Sequence, residues 1–207
     1  MRTKFSKEVS VLALSIASFC LAMGLRGVLN IWIGTGTAAL ISVLLLRRID
    51  DDIPARWFPT STSAIVSGTA IGVAMAVGTW VLFPVSAELV PAIGVEVPRL
   101  YDLLRQPPGP VWALPVLVFV VLTEELVWRG LAIDVFGQSV GPARAVLLAS
   151  LAYVLPQIAF RSPLLVVIAL VCGAIWGALR VMTNGLAAPL IAHLTWDVLV
   201  FVLFPVS

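Results

Sequence analysis

Two adjacent carboxylates and a guanidinium, Glu124, Glu125 and Arg129, stand at the end of a run from Val111 to Leu122 that carries no charged residue. A charged side chain at the centre of a transmembrane helix is unfavourable by about 3 kcal/mol on insertion scales, while each Leu, Val or Phe returns about half a kcal/mol. Three such groups cancel most of what the segment gains by entering a bilayer. A chain with no task for them would use apolar residues there, so Thr123 to Gly130 reads as a site. A second polar pair stands near the C-terminus: His193, the one histidine in the chain, and Asp197.

The spacing says which of these can act together. Glu125 and Arg129 are four residues apart and share a helix face, as do His193 and Asp197. Glu124 points about 100° away from Glu125, so one carboxylate can face a cavity while Arg129 holds its neighbour. A carboxylate withdrawn from water is a better base and can take a proton from a water molecule. A histidine and a second polar side chain can then donate hydrogen bonds to the oxyanion of an amide under attack. The chemistry is therefore hydrolysis, and the bland alternative is a buried charge network that fixes helix pairing. No His-Glu-x-x-His or Gly-Asp pattern occurs, which disfavours zincin and aspartyl mechanisms. One histidine forbids a two-histidine zinc site within the chain. A divalent ion on Glu124, Glu125, Asp197 and His193 stays open, and no cofactor is expected.

The rest of the chain must position these groups inside a membrane. Of 207 residues, 60% are hydrophobic and 12% charged, about half the charge of an ordinary soluble domain, and the mean hydropathy is +1.07. Several apolar runs approach the roughly 20 residues that cross a bilayer. The expectation is an all-α, polytopic transmembrane helical bundle of about seven spans, multi-pass in the cell membrane, with lipid around it. The net charge of +2 is scattered and forms no basic patch, which argues against nucleic acid as a partner. Cys20 and Cys172 both lie in apolar runs and read as packing residues rather than a disulfide or metal ligands.

In order, Arg2, Lys4 and Lys7 precede an apolar run from Val9 to Leu25, which lacks a small-x-small cleavage site and is predicted as an uncleaved first span. The second span is predicted from Val28 to Leu46, stopped by Arg47 and Arg48. Asp50, Asp51 and Asp52 follow in a solvated loop, with cation binding as the alternative. The third, Ser61 to Phe83, carries Gly68, Gly72 and Gly78, small residues that let helices approach closely. Pro84 to Pro110 is predicted as an external loop with one short interfacial helix near Arg99 to Arg105. Four spans then succeed it at about Val111–Arg129, Ala143–Phe160, Leu164–Val181 (with Gly173 and Gly177) and Leu186–Phe204.

Residues 1–110 thus form N-terminal membrane helices and an external loop, and residues 111–207 a helical core, within one continuous membrane domain. Seven spans put the termini on opposite sides. A cytosolic N-terminus places Arg2, Lys4, Lys7, Arg47, Arg48, Arg56, Arg144 and Arg180 inside, against Arg26, Arg99, Arg105 and Arg161 outside. At about 1.5 Å per residue, Glu124 and His193 each lie roughly 10 Å from the cytosolic edge. The polar cavity, formed by the C-terminal four helices, is expected to open on that side.

Glu124-Glu125-Leu126-Val127-Trp128-Arg129-Gly130 resembles the EExxxR motif of the CPBP family, the CAAX-protease and bacteriocin-processing group, and His193-Leu194-Thr195-Trp196-Asp197 resembles its HxxxN or HxxxD motif. The resemblance covers about Val111 to Phe204 and implies an intramembrane endopeptidase acting on a peptide or membrane-protein substrate through glutamate-activated water. It implies Glu124 as general base, Glu125 and Arg129 shaping the site, and His193 and Asp197 binding the oxyanion or the substrate carbonyl. The family's middle motif, FxxxH, reads Tyr153-Val154-Leu155-Pro156-Gln157 here. Glutamine holds a water by hydrogen bonds but cannot carry a proton, and Gln157 lies about 21 Å from Ala143, towards the outer side. The departure opens a second reading, a catalytically silent relative that serves as a membrane binding, immunity or scaffold protein. A proton or ion relay is the third, against which stands the lack of a repeat relating the two halves.

Overall fold

The computed structural model describes residues 2–49, 57–58 and 61–206; the acidic triplet Asp50–Asp52 lies outside the described residues. Its described residues form helices and no strand. They are α1 (Arg2–Gly24), α2 (Ile31–Leu46), α3 (Thr62–Leu89), α4 (Pro91–Leu104), α5 (Leu114–Glu124), a π-helical segment π1 (Glu125–Ala132), α6 (Ile133–Gly137), α7 (Pro142–Phe160), α8 (Pro163–Thr183), α9 (Ala187–Asp197) and a second π segment π2 (Val198–Leu203). Lys4–Gly24, Thr62–Leu89, Pro142–Phe160 and Pro163–Thr183 are long and apolar enough to cross a membrane, and Ile31–Leu46 and Ala187–Leu203 are shorter apolar helices. The run α5–π1–α6, of 11, 8 and 5 residues, stands at the fourth predicted span. Every predicted span therefore has a helix in its place, in a helical membrane bundle.

The segment predicted as an external loop is corrected. The third helix runs through Pro84 to Leu89, and α4 takes up most of the remainder as far as Leu104. Proline has a φ suited to a helix, although inside one, as at Pro84 and Pro98, it removes an N–H and crowds the carbonyl four residues earlier. Pro91 occupies the first position of α4, where that N–H has no helical partner to lose. The α4 helix is tied down rather than loose. Buried Tyr101 donates its hydroxyl to the carbonyl of Val200 in π2 (2.9 Å). Glu96 accepts a hydrogen bond from the Ser162 hydroxyl at the start of α8. Beyond α4, Gln106 Oε1 takes the Ile31 N–H (2.7 Å) and Asn30 caps α2 at the N–H of Trp32 (2.9 Å), so the first turn of α2 is satisfied from two directions.

Small residues set how closely the helices approach. Along α3 the buried positions are Ala64, Gly68, Gly72 and Ala76, a strict four-residue stripe, and this stripe lies against α9, the helix of His193. A Cβ on Gly68 would fall 2.6 Å from the Ala188 carbonyl oxygen, and one on Gly72 would fall 2.6 Å from that of Ala192. Gly173 and Gly177 of α8 do the same against Ser150 and Val146 of α7. Gly78, predicted as part of the stripe, is corrected: nothing lies within 4 Å of the place a Cβ would take. Six residues from Gly72, it has rotated off the contact face. Gly72→Leu is therefore expected to push α3 off α9 and lower stability by about 2–3 kcal/mol, with Gly78→Leu near neutral. Thermal unfolding of the two variants in detergent checks the difference.

Candidate functional site

The motif helix begins apolar. In α5, Leu117, Val120 and Val121 are buried, Pro115 sits in the first turn, and the charged groups arrive only in its last residue and in π1. The π segment, unmarked by any sequence signal, replaces the α-helix predicted across the motif; such wide turns recur at functional sites. Every residue of π1 except Leu126 is buried. Glu125 is wholly buried, and Arg129 Nη1 lies 3.2 Å from its Oε1. The guanidinium is held between two rings, 4.4 Å from the centroid of Tyr153 and 4.9 Å from that of Trp176. A desolvated cation over an aromatic face gains about 2 kcal/mol, which offsets part of the cost of burying it.

Gly130 closes the motif for a steric reason. A Cβ there would fall 2.7 Å from the indole ring of Trp57, which is 2% exposed. Trp57 is fixed by its carbonyl, which accepts the Leu186 N–H (2.7 Å), and by its Nε1, which donates to Asp134 Oδ2 (3.0 Å). Asp134 Oδ1 in turn lies 3.6 Å from Arg180 Nη2. Nothing in the sequence around Trp57 pointed to the site, because its role is to fill space beneath residues far along the chain.

From α9, His193 reaches the same group. Its Nδ1 lies 2.8 Å from Glu125 Oε1, within hydrogen-bond range. Its Nε2 faces Asp197 Oδ2 at 3.6 Å and Glu124 Oε2 at 4.0 Å. The predicted His193–Asp197 pair is thus adjacent but not hydrogen-bonded, and the bonded partner of the imidazole is Glu125. Trp176 stacks on the ring at 3.7 Å with 21° between planes. On the other side, Tyr153 donates its hydroxyl to Glu124 Oε2 (3.1 Å). Tyr153 and Trp176 were not singled out by sequence. Tyr153 precedes Gln157 by four residues, so helix spacing could have found it.

Glu124, Gln157, His193 and Asp197 line one cavity of about 200 Å³, and Glu125 and Arg129 stand behind its wall. The polar wall comes from α5, α7, α8 and α9, the C-terminal four spans. Apolar residues of α1, α2 and α4 (Met23, Ile31, Trp32, Leu104) complete the rim. Gln157 lies one helical turn from Tyr153 towards that rim, buried, its Oε1 without a hydrogen-bond partner among the described residues. Cys172 is a free thiol in the same wall. Among the described residues no three His, Cys, Asp or Glu side chains are set to hold a metal ion.

The direction of the cavity corrects one expectation. Its lining residues lie at or towards the end of α1, the start of α2, α4, the start of α5, the end of α7 and the start of α8, the end of the bundle opposite the N-terminus. A cytosolic N-terminus and a cavity open to the cytosol do not hold together, because the near side is filled by Trp57. Gly137-Gln138-Ser139-Val140-Gly141 has the Gly-x-Ser-x-Gly order. Ser139 is exposed in the turn between α6 and α7, with no strand before it and the chain's single histidine engaged elsewhere, so the strand-turn-helix setting of a nucleophile elbow is missing.

Residues 106–199 match the family model described as type II CAAX prenyl endopeptidase Rce1-like. No curated protein and no solved structure matches the chain. The matched segment holds both motifs and every titratable side chain of the cavity wall. At family level the matched segment has the likeness of a CAAX-type intramembrane protease, and the resemblance drawn from EExxxR and HxxxD is borne out over residues 106–199, which are similar to the Rce1-like proteins of the CPBP family.

Proposed function

We propose that the protein is an intramembrane endopeptidase that hydrolyses a peptide bond with water activated by Glu124. The observation that carries this is the position of Glu124 Oε2, on the wall of a mainly apolar cavity, bonded by Tyr153 and 4.0 Å from His193 Nε2. Glu124 takes a proton from water as its oxygen attacks the substrate carbonyl, then delivers that proton to the amine that leaves. Glu125, as the carboxylate between Arg129 and His193 Nδ1, orients the ring; a doubly protonated imidazole has a donor at each nitrogen, Nδ1–H to Glu125 and Nε2–H towards the cavity. Nε2–H is then free to donate to the oxyanion. Asp197, 3.6 Å from the same nitrogen, fixes the direction of that donation. Gln157 supplies an amide that holds the water or the substrate carbonyl but moves no proton.

Gln157 also favours the second reading, a relative that binds an apolar peptide or a partner membrane protein without cutting it. Cleavage of a fluorogenic peptide library by the purified protein separates the two. The proteolytic reading expects activity in the wild type and a loss of about 10²–10⁴-fold in kcat/KM for Glu124→Gln, the usual contribution of a general base. A silent wild type with an active Gln157→His variant supports the binding protein instead. Arg129→Leu leaves Glu125 and His193 buried without their cation, and its expected destabilisation is about 3–5 kcal/mol, read as a lowered Tm in detergent alongside lost cleavage.

A further inference from the structure

We propose that the site takes its substrate from the extracytosolic face of the membrane, so that what it binds is an apolar segment of an exported peptide or of the outward-facing part of a membrane protein. That the bound segment is a substrate rests on the endopeptidase reading; the direction of access does not. Three observations combine. First, the cavity runs from Glu124 towards the end of the bundle opposite the N-terminus, where Leu103 and Leu104 of α4, Ile31 and Trp32 of α2 and Leu165 of α8 border it. Second, the other end is shut: the Trp57 indole lies against Gly130, with Trp57 bonded to Leu186 and Asp134.

Third, the charges at the two ends differ. The shut end carries Lys4 and Lys7 at the start of α1, Arg47 and Arg48 after α2, Arg144 in the first turn of α7 and Arg180 in the last turn of α8. The open end carries Arg26, Arg99, Arg105 and Arg161. Of these, Arg105 is paired with Asp102 (3.0 Å), and Arg26 lies over the Phe160 ring (4.2 Å). An excess of basic groups near short loops marks the cytosolic side, which makes the shut end cytosolic and the open end external.

The approach also bears on what enters. Leu104, Ile31, Leu117 and Val121 line the approach, and Gln157, in the last turn of α7, stands among them. Gln157 is 8% exposed, and its Oε1 has no hydrogen-bond partner among the described residues. An apolar wall with an unused acceptor suits an extended peptide, whose side chains need apolar surface and whose backbone N–H groups need acceptors. A hydrated or charged chain would lose its water along that path without compensation.

Single cysteines test the direction without reference to activity. In a Cys20→Ala, Cys172→Ala background, Asp102→Cys and Leu103→Cys mark the open end and Ser139→Cys the shut end, each probed with a membrane-impermeant maleimide. Asp102→Cys and Leu103→Cys are expected to label in right-side-out vesicles and not in inverted ones, with Ser139→Cys the reverse. The opposite pattern, or labelling of Asp102→Cys in inverted vesicles, overturns the proposal. An impermeant fluorogenic peptide supplied to the same vesicles gives the second arm. Glu124-dependent cleavage in right-side-out vesicles supports external access, and cleavage confined to inverted vesicles overturns it. Cleavage absent even from solubilised protein, with the labelling pattern as expected, removes the endopeptidase reading and leaves the direction of access standing.

Discussion

The buried contact among Glu125, Arg129 and His193 is the constraint on which the second half of the bundle depends. Glu125 and Arg129 are almost completely removed from solvent; Glu125 Oε2 and both Nη atoms of Arg129 have no hydrogen-bond partner among the described residues, so the desolvation cost of the pair is offset only as far as its geometry is held. Side chains from separate helices hold that geometry. Tyr153 of α7 and Trp176 of α8 flank the guanidinium, and the same Trp176 stacks on His193 of α9. Removing any one helix would strand a charge. The pair therefore works as a register pin for four spans, and the sequence tolerates three costly groups in one apolar helix because each is met from outside that helix.

That pin needs helices closer together than bulky side chains allow. His193 reaches Glu125 because α9 lies on the glycine stripe of α3, with carbonyl oxygens where Cβ atoms of Gly68 and Gly72 would be. Gly130 plays the corresponding part beneath the site, giving its space to Trp57. The three spans that hold no catalytic candidate thus set the distances among those that do. Van der Waals contact and small residues do here what water exclusion does in a soluble core.

Much of this was legible in the sequence, for identifiable reasons. Bilayer thickness fixes span length, so hydropathy placed a helix at each predicted span, with ends that differ by up to eight residues. Charged residues inside apolar runs are too costly to be accidental, so Glu124, Glu125, Arg129, His193 and Asp197 stood out without a structure. What stayed hidden was set by contacts between distant parts of the chain. Prolines suggested a loop where α4 forms, because its tethers, Tyr101 to Val200 and Glu96 to Ser162, join segments about a hundred and about seventy residues apart. The π turn, the plug made by Trp57 and the loss of Gly78 from the stripe have no local signature. The direction of the cavity followed only once the plug was seen.

Adjacent glutamates are an expensive arrangement unless they divide the work, and here their surroundings differ in kind. Glu125 lies against a guanidinium and an imidazole, behind the cavity wall. Glu124, turned away from it along the helix, accepts from the Tyr153 hydroxyl, lies 4.0 Å from His193 Nε2 and faces the cavity. In the proposed mechanism Glu124 must gain and lose a proton, which a permanent cation bonded to it would hinder, while Glu125 must hold His193 in place without changing charge. One carboxylate could not satisfy both demands. Two in succession can, because a single helical step separates their directions by about 100°, and the aromatic layer of Tyr153 and Trp176 keeps Arg129 on the side of Glu125.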